Sequence, residues 1–114
     1  MKIILHDQPA DDVIAHEDQL GDREGEFRVE EGGAIFYHHP SDEMRWFAGP
    51  DSSTFRAAAE AFASYQKTVS GCSSEEEELR VVGELRARLD ELGLLDRPDA
   101  FWGIIVEQAE HGSE

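Results

Sequence analysis

The spacing of apolar residues changes character midway along the chain. Phe27 and Val29 alternate with Arg28 and Glu30, the period of two expected for a strand with one wet face. Ala34-Ile35-Phe36-Tyr37-His38 is the most β-prone run, rich in branched and aromatic side chains. Met44-Arg45-Trp46-Phe47-Ala48 returns as a third strand, with Met44 and Trp46 facing inward. Gly32-Gly33 supplies the positive φ of a tight hairpin, and Pro40-Ser41-Asp42-Glu43 supplies a turn. The pattern therefore predicts antiparallel strands over 26–48. Lys2 to His6 adds a short fourth strand, ended by Asp7-Gln8-Pro9. Between them, Asp11 to Leu20 offers only Val13, Ile14 and Leu20 as apolar contacts. That stretch reads as a helical turn or two, or as a mobile segment, followed by a loop over 21–25. Residues 1–25 are thus expected to be partly mobile.

After Gly49-Pro50 the period lengthens. Asp51, Ser52 and Ser53 are cap candidates for a helix over 51–70, where Phe55, Ala58, Ala59, Phe62 and Val69 keep one apolar stripe. Ser70-Gly71 stops it. A second helix is expected over 74–92. Ser73 or Ser74 caps it, glutamates three residues on complete a capping box, and Gly93 ends it. Its stripe is Leu79, Val82, Leu85, Leu89 and Leu92. A third helix is expected over 98–111, with a cap candidate and an early proline in Asp96-Arg97-Pro98-Asp99 and a stripe of Phe101, Trp102, Ile105, Val106 and Ala109. Strands first and helices after imply an α+β fold: a short antiparallel sheet of three to four strands, with three amphipathic helices packed on one face. The expected core is Phe36, Trp46, Phe55, Phe62, Leu85, Leu89, Phe101 and Trp102.

Composition narrows the classes of partner. The 114 residues, 39% of them hydrophobic, suit a single domain with one modest core. Twenty-six acidic side chains against 10 basic ones give a formal net charge of -16. Phosphate-rich partners would be repelled, which argues against nucleic acid and anionic membranes and leaves a basic peptide or protein partner, or simple solubility. Cys72 is the one cysteine, so no internal disulfide forms. The run from Met1 to His6 is too short for a signal peptide or a membrane span. Both features point to a reducing cytoplasm.

Conventional chemistry finds little support. His38-His39 invites a metal, but neighbours on a strand point to opposite faces, and Asp42 and Glu43 add no convincing ligand spacing. Glu75 to Glu78 lack the interleaved donors and turn glycine of a calcium loop and instead complement a helix dipole. Cys72 has serines and glutamates as sequence neighbours, where a nucleophilic thiol needs a base or a cation. No Gly-rich phosphate loop, Gly-x-Ser-x-Gly elbow or Cys-x-x-Cys pair is present. The expectation is therefore no catalytic residue of the common kinds, no metal and no cofactor. Arg28, Tyr37 and Arg45 are the polar candidates for a contact surface, with His38 beside them. Paired arginines suit a carboxylate such as a peptide C-terminus. The plainer alternative is cross-strand pairing with Glu30 or Glu43.

From Gly33 to Gly112 the chain resembles the C-terminal part of SUKH-type bacterial immunity proteins. The resemblance rests on Asp51-Ser52-Ser53 leading into Phe55-Arg56-Ala57-Ala58-Ala59-Glu60-Ala61-Phe62. It rests also on Pro98-Asp99-Ala100-Phe101-Trp102, continuing through Ile105-Val106-Glu107-Gln108 to a closing glycine. It implies an α+β domain that binds a peptide or protein, in the known cases a toxin, without performing a reaction. Members usually carry a longer N-terminal region. A shortened domain would leave part of its sheet or helix face uncovered, and a homodimer is the expected cover.

A second resemblance is to small proteins of lantibiotic pathways that form the lysinoalanine cross-link. This chain is similar in size and in lacking a recognisable catalytic constellation. That likeness implies a dimeric scaffold enzyme of lanthipeptide maturation, holding a modified peptide while its lysine adds to a dehydroalanine and a substrate hydroxyaspartate serves as base. A binder would leave its partner unchanged in mass and connectivity. The scaffold enzyme would turn its partner over.

Overall fold

The computed structural model describes residues 2–10, 12–19, 22–39 and 44–110. Among the described residues five strands precede three long helices, and the fold is α+β. The strands are β1 (Lys2–Ala10), β2 (Val13–Gln19), β3 (Asp22–Val29), β4 (Ile35–His38) and β5 (Arg45–Gly49). They form one antiparallel sheet in chain order. The helices are α1 (Ser52–Val69), α2 (Glu75–Glu91) and α3 (Phe101–Glu110). Contacts group the chain into two compact units, residues 1–56 and 57–114.

In the first unit, the segment expected to be helical or mobile is strand β2, and the expected loop over 21–25 lies largely within β3. The strand β1 likewise runs past Pro9 to Ala10. Sparse apolar content misled here because β2 sits between two partners. Its ladder bonds stabilise an extended backbone that side-chain propensity alone does not favour. Two irregularities in the β2–β3 register, between Val13 and Ala15 and between His16 and Asp18, break the alternation that would have betrayed the strand. Asp12 turns the chain between β1 and β2 with φ 63°, a conformation aspartate tolerates better than most residues. Its carbonyl accepts from Val29 N–H at 2.8 Å, tying the end of β3 to that turn.

Two cross-strand rows define the sheet. Leu5, Ala15, Phe27, Tyr37 and Trp46 are successive register partners across all five strands, and so are Ile4, His16, Glu26, His38 and Arg45. Adjacent rows point to opposite faces. The first is the core row: Ala15 and Phe27 are fully buried, and Tyr37 is nearly so. The Phe27 ring lies 5.1 Å from Tyr37 and 4.8 Å from Phe55, in the first turn of α1. Trp46, expected in the core, is only half-buried, because β5 is the edge of the row. Met44, expected to face inward, is exposed. The hairpin glycines behave as expected, Gly32 and Gly33 having φ of 86° and 89° in a short 3₁₀ turn (Glu31–Gly33). The Pro40–Glu43 turn lies outside the described residues.

In the second unit, α2 buries Val81, Val82, Leu85 and Leu89, while α3 buries Phe101, Trp102, Ile105 and Val106. Trp102 has no exposed surface and takes Phe62 edge-on at 6.0 Å. Leu79 and Leu92 lie off the buried stripe, with Leu79 exposed and Val81 inside instead. Ser74 caps α2, its Oγ accepting from Glu77 N–H at 3.2 Å, and the Glu77 carboxylate returns to Ser73 N–H. At the other end Gly93, at φ 72°, closes a Schellman turn. There Leu94 N–H reaches Leu89 O at 3.1 Å and Gly93 N–H reaches Asp90 O at 2.9 Å. The third helix starts at Phe101, later than expected. Arg97 instead grips both Asp99 oxygens at 2.8 and 2.9 Å, which spends the carboxylate and holds Pro98 in a turn.

Two substitutions test these packing arguments. At Gly25 a Cβ would land on the Tyr37 ring, so Gly25→Ala should destabilise the chain by about 1–3 kcal/mol through overpacking, read from urea midpoints. Ser74→Ala should cost about 1 kcal/mol through the lost cap and lower helicity measured by circular dichroism.

Candidate contact face

The second row, with its flanks, carries the polar chemistry of the sheet. Glu26 opposes His38 in the register and Arg28 opposes Phe36. On the next strand His38 opposes Arg45, and Phe36 opposes Phe47. Positions 26 and 28, 36 and 38, and 45 and 47 therefore share one face. Phe36 and Phe47 meet edge-on at 5.6 Å and are buried. Around them stand Arg28, His38 and Arg45, whose side chains keep 43, 36 and 54% of their surface in solvent.

Glu30 is the hub of this group. It follows β3, just before the 3₁₀ turn, and uses one carboxylate oxygen for each partner. Its Oε2 meets His38 Nε2 at 2.6 Å, and its Oε1 accepts from the Arg45 guanidinium. The same guanidinium lies 4.2 Å above the centre of the Phe36 ring, adding a cation–π contact. Arg28 donates to Glu26 Oε1 at 2.9 Å. Farther along the sheet, His6 Nε2 and His16 Nδ1 share a hydrogen bond at 2.7 Å.

Burial first, and the Arg28 guanidinium second, hold His38 below the ordinary imidazole value of 6.5, against a smaller opposing pull from Glu26. The ring is therefore neutral at pH 7. Its contact with Glu30 is then an Nε2–H donor on a carboxylate rather than a full ion pair. This assignment follows from the acceptor-only nature of the ionised carboxylate.

The four candidate residues separate into three and one. Arg28, His38 and Arg45 share the polar face. Tyr37 stands on the opposite face in the core row, only 8% exposed, and its hydroxyl donates to the Glu17 carboxylate. Ile35, two residues earlier on the same strand, signalled this placement, since both lie on the buried side. Of the two arginines, Arg45 makes the expected pair with Glu30, whereas Arg28 pairs with Glu26 on its own strand. Both guanidinium groups are thus already engaged, and a carboxylate ligand would have to displace a glutamate from each. Glu30 as a shared acceptor was foreshadowed only as a single partner. The His6–His16 pair was missed because it depends on the β1–β2 hairpin.

His38 and His39 diverge as adjacent strand residues should. The first reaches Glu30, and the second lies 6.4 Å from the Tyr37 ring. Asp42 and Glu43 lie outside the described residues. Among the described residues no group of three or more His, Cys, Asp or Glu is placed to hold a metal ion. Cys72 directs its thiol to Thr68 O at 3.6 Å. Among those residues, too, no helix is long and apolar enough to cross a membrane. In the helical unit, an open groove of about 300 Å³ is lined chiefly by Ala61, Tyr65, Val81, Leu85 and Arg88. Compared with protein-family models, curated proteins and solved structures, the chain matches none of them.

The position of His38 has a pH consequence. With a lowered value in the folded state, the unfolded chain binds the extra proton first as pH falls below about 6.5, and stability drops with it. Urea midpoints at pH 7 and pH 5 should therefore differ less in His38→Gln, which keeps a donor for Glu30 but does not titrate. An equal loss in both proteins would show that His38 contributes nothing to acid sensitivity.

Proposed function

We propose that this chain is a peptide- or protein-binding module of the kind the SUKH-type resemblance implies. It works in the cytoplasm and meets its partner through the Arg28–His38–Arg45 face. The observation that supports the reading is the arrangement on that face: alternating guanidinium, imidazole and carboxylate groups around the buried Phe36–Phe47 pair. Aromatic packing fixes the strands beneath, so the charged groups are held in place before a partner arrives. A basic side chain from the partner can replace Arg28 or Arg45 on Glu26 or Glu30, exchanging one charge-assisted bond for another. The net charge of -16 draws such a partner in and speeds its encounter.

Immobilised protein exposed to extract of its source cell should retain a folded basic protein in stoichiometric amount and unchanged mass. Glu30→Gln should weaken that complex about tenfold, equivalent to about 1.4 kcal/mol, with a smaller dependence on salt. A short thioether-bridged peptide in place of the protein, converted to a lysinoalanine product on incubation, would replace this reading with the scaffold-enzyme one. Retention unaffected by Glu30→Gln and Arg45→Ala together would remove the contact face from the proposal.

A further inference from the structure

Among the described residues the sheet has two edges, β1 and β5, which differ in how much of their length carries a guard against further pairing. The β5 edge is five residues long, begins with the exposed Arg45 and ends at Gly49, directly before Pro50. Short length, charge and proline are the devices that keep an edge strand from recruiting another chain. The β1 edge is nine residues long and hydrogen-bonds to β2 on one side. Its first half is Lys2-Ile3-Ile4-Leu5-His6, three consecutive apolar residues, with Ile4 38% exposed. The guards Asp7 and Pro9 come only in the second half.

Charge selects what could pair there. The chain has 26 acidic side chains, yet none lies between Lys2 and His6. A basic peptide, the partner expected for the acidic surface, would find only Lys2 as charge on this edge. A second copy of the chain meets no carboxylate of its own kind over that stretch. Symmetry then fixes the register. Two identical antiparallel strands related by a two-fold axis through the sheet keep their faces, so paired residue numbers must share parity. Centring the axis on Ile4 uses the whole apolar run: Ile4 faces Ile4 of the second copy, Ile3 faces Leu5, and Lys2 faces His6.

We propose that the β1 edge is a homodimer interface, in which residues 2–6 of two copies pair antiparallel about Ile4 and join the two sheets into one. This goes beyond the contact-face reading and does not depend on it. Five residue pairs bury far less than the roughly 1,600 Å² of a standard interface. The dimer should accordingly be weak, with a dissociation constant on the order of 10 μM.

Light scattering coupled to size exclusion, from about 1 to about 500 μM protein, should show the mass doubling through that range. Ile4→Lys should shift the midpoint upward at least about tenfold. Because Ile4 is exposed, its thermal unfolding should stay near that of the parent. In a Cys72→Ser background, Ile4→Cys should form an intermolecular disulfide under mild oxidation, since directly opposed Cβ atoms lie about 4.5–5.5 Å apart. Lys2→Cys should not, because its two copies would sit about 13 Å apart along the strands. A single monomeric mass at every concentration would overturn the proposal and leave the edge to another occupant. Equal cross-linking of both cysteine variants would overturn the register. Retention of a cellular partner is scored separately in Ile4→Lys, so loss of the dimer and loss of the contact face give different results.

Discussion

The sheet depends on the seating of Phe27. Its ring has no exposed surface and touches Tyr37 across the β3–β4 ladder and Phe55 from the start of α1. A slip of one residue in β3 would exchange the rows, placing Glu26 or Arg28 where the aromatic ring now sits. Burying either charge without its partner costs several kcal/mol, more than any ladder bond returns. Aromatic packing on one face thus decides which side chains appear on the other. The polar face is a consequence of the core row.

Electrostatics on that face is arranged to be nearly self-contained. Glu30 serves His38 and Arg45, Glu26 serves Arg28, and Arg45 also caps the Phe36 ring. Half-exposed pairs of this kind contribute little stability each, because water screens them and holding long side chains costs entropy. Their value lies in position. The excess acid of the chain falls partly at the first turn of α2, where Glu75 to Glu78 face the positive end of the helix dipole and Ser74 completes the cap. The charge imbalance is therefore accommodated locally even where it is largest.

The helices and the β3–β5 meander were legible because their signals are local. The stripe Val82, Leu85, Leu89, the terminating Gly93 and the Gly32-Gly33 turn each depend on residues within a few positions of one another. The strands β1 and β2 were harder. One was seen too short and the other not at all, since the polar strand β2 owes its conformation to ladders with β1 and β3 that no local pattern encodes. The polar face was half legible: alternation placed Arg28 and Arg45 on one side, as the register does. Tyr37 was grouped with the arginines although Ile35 shares its face, and a phenol can sit in a core row when a partner such as Glu17 accepts its hydroxyl proton. The network through Glu30 was legible only in part. Its pairing with Arg45 was an open alternative, whereas its second bond, to His38, was not read, since the network joins the end of β3 to two other strands.

The groups on this face are committed to one another. Glu30 divides its two oxygens between an imidazole and a guanidinium. His38, neutral at pH 7, directs its Nε2–H at that carboxylate. Groups so committed to one another make a fixed pattern of donors and acceptors, and a partner able to exchange with one of them gains specificity from the others left in place. The rigidity comes from Phe36 and Phe47 below, and through the register from Phe27. The polar face of this protein is therefore built from the core outward, with its charges positioned by packing.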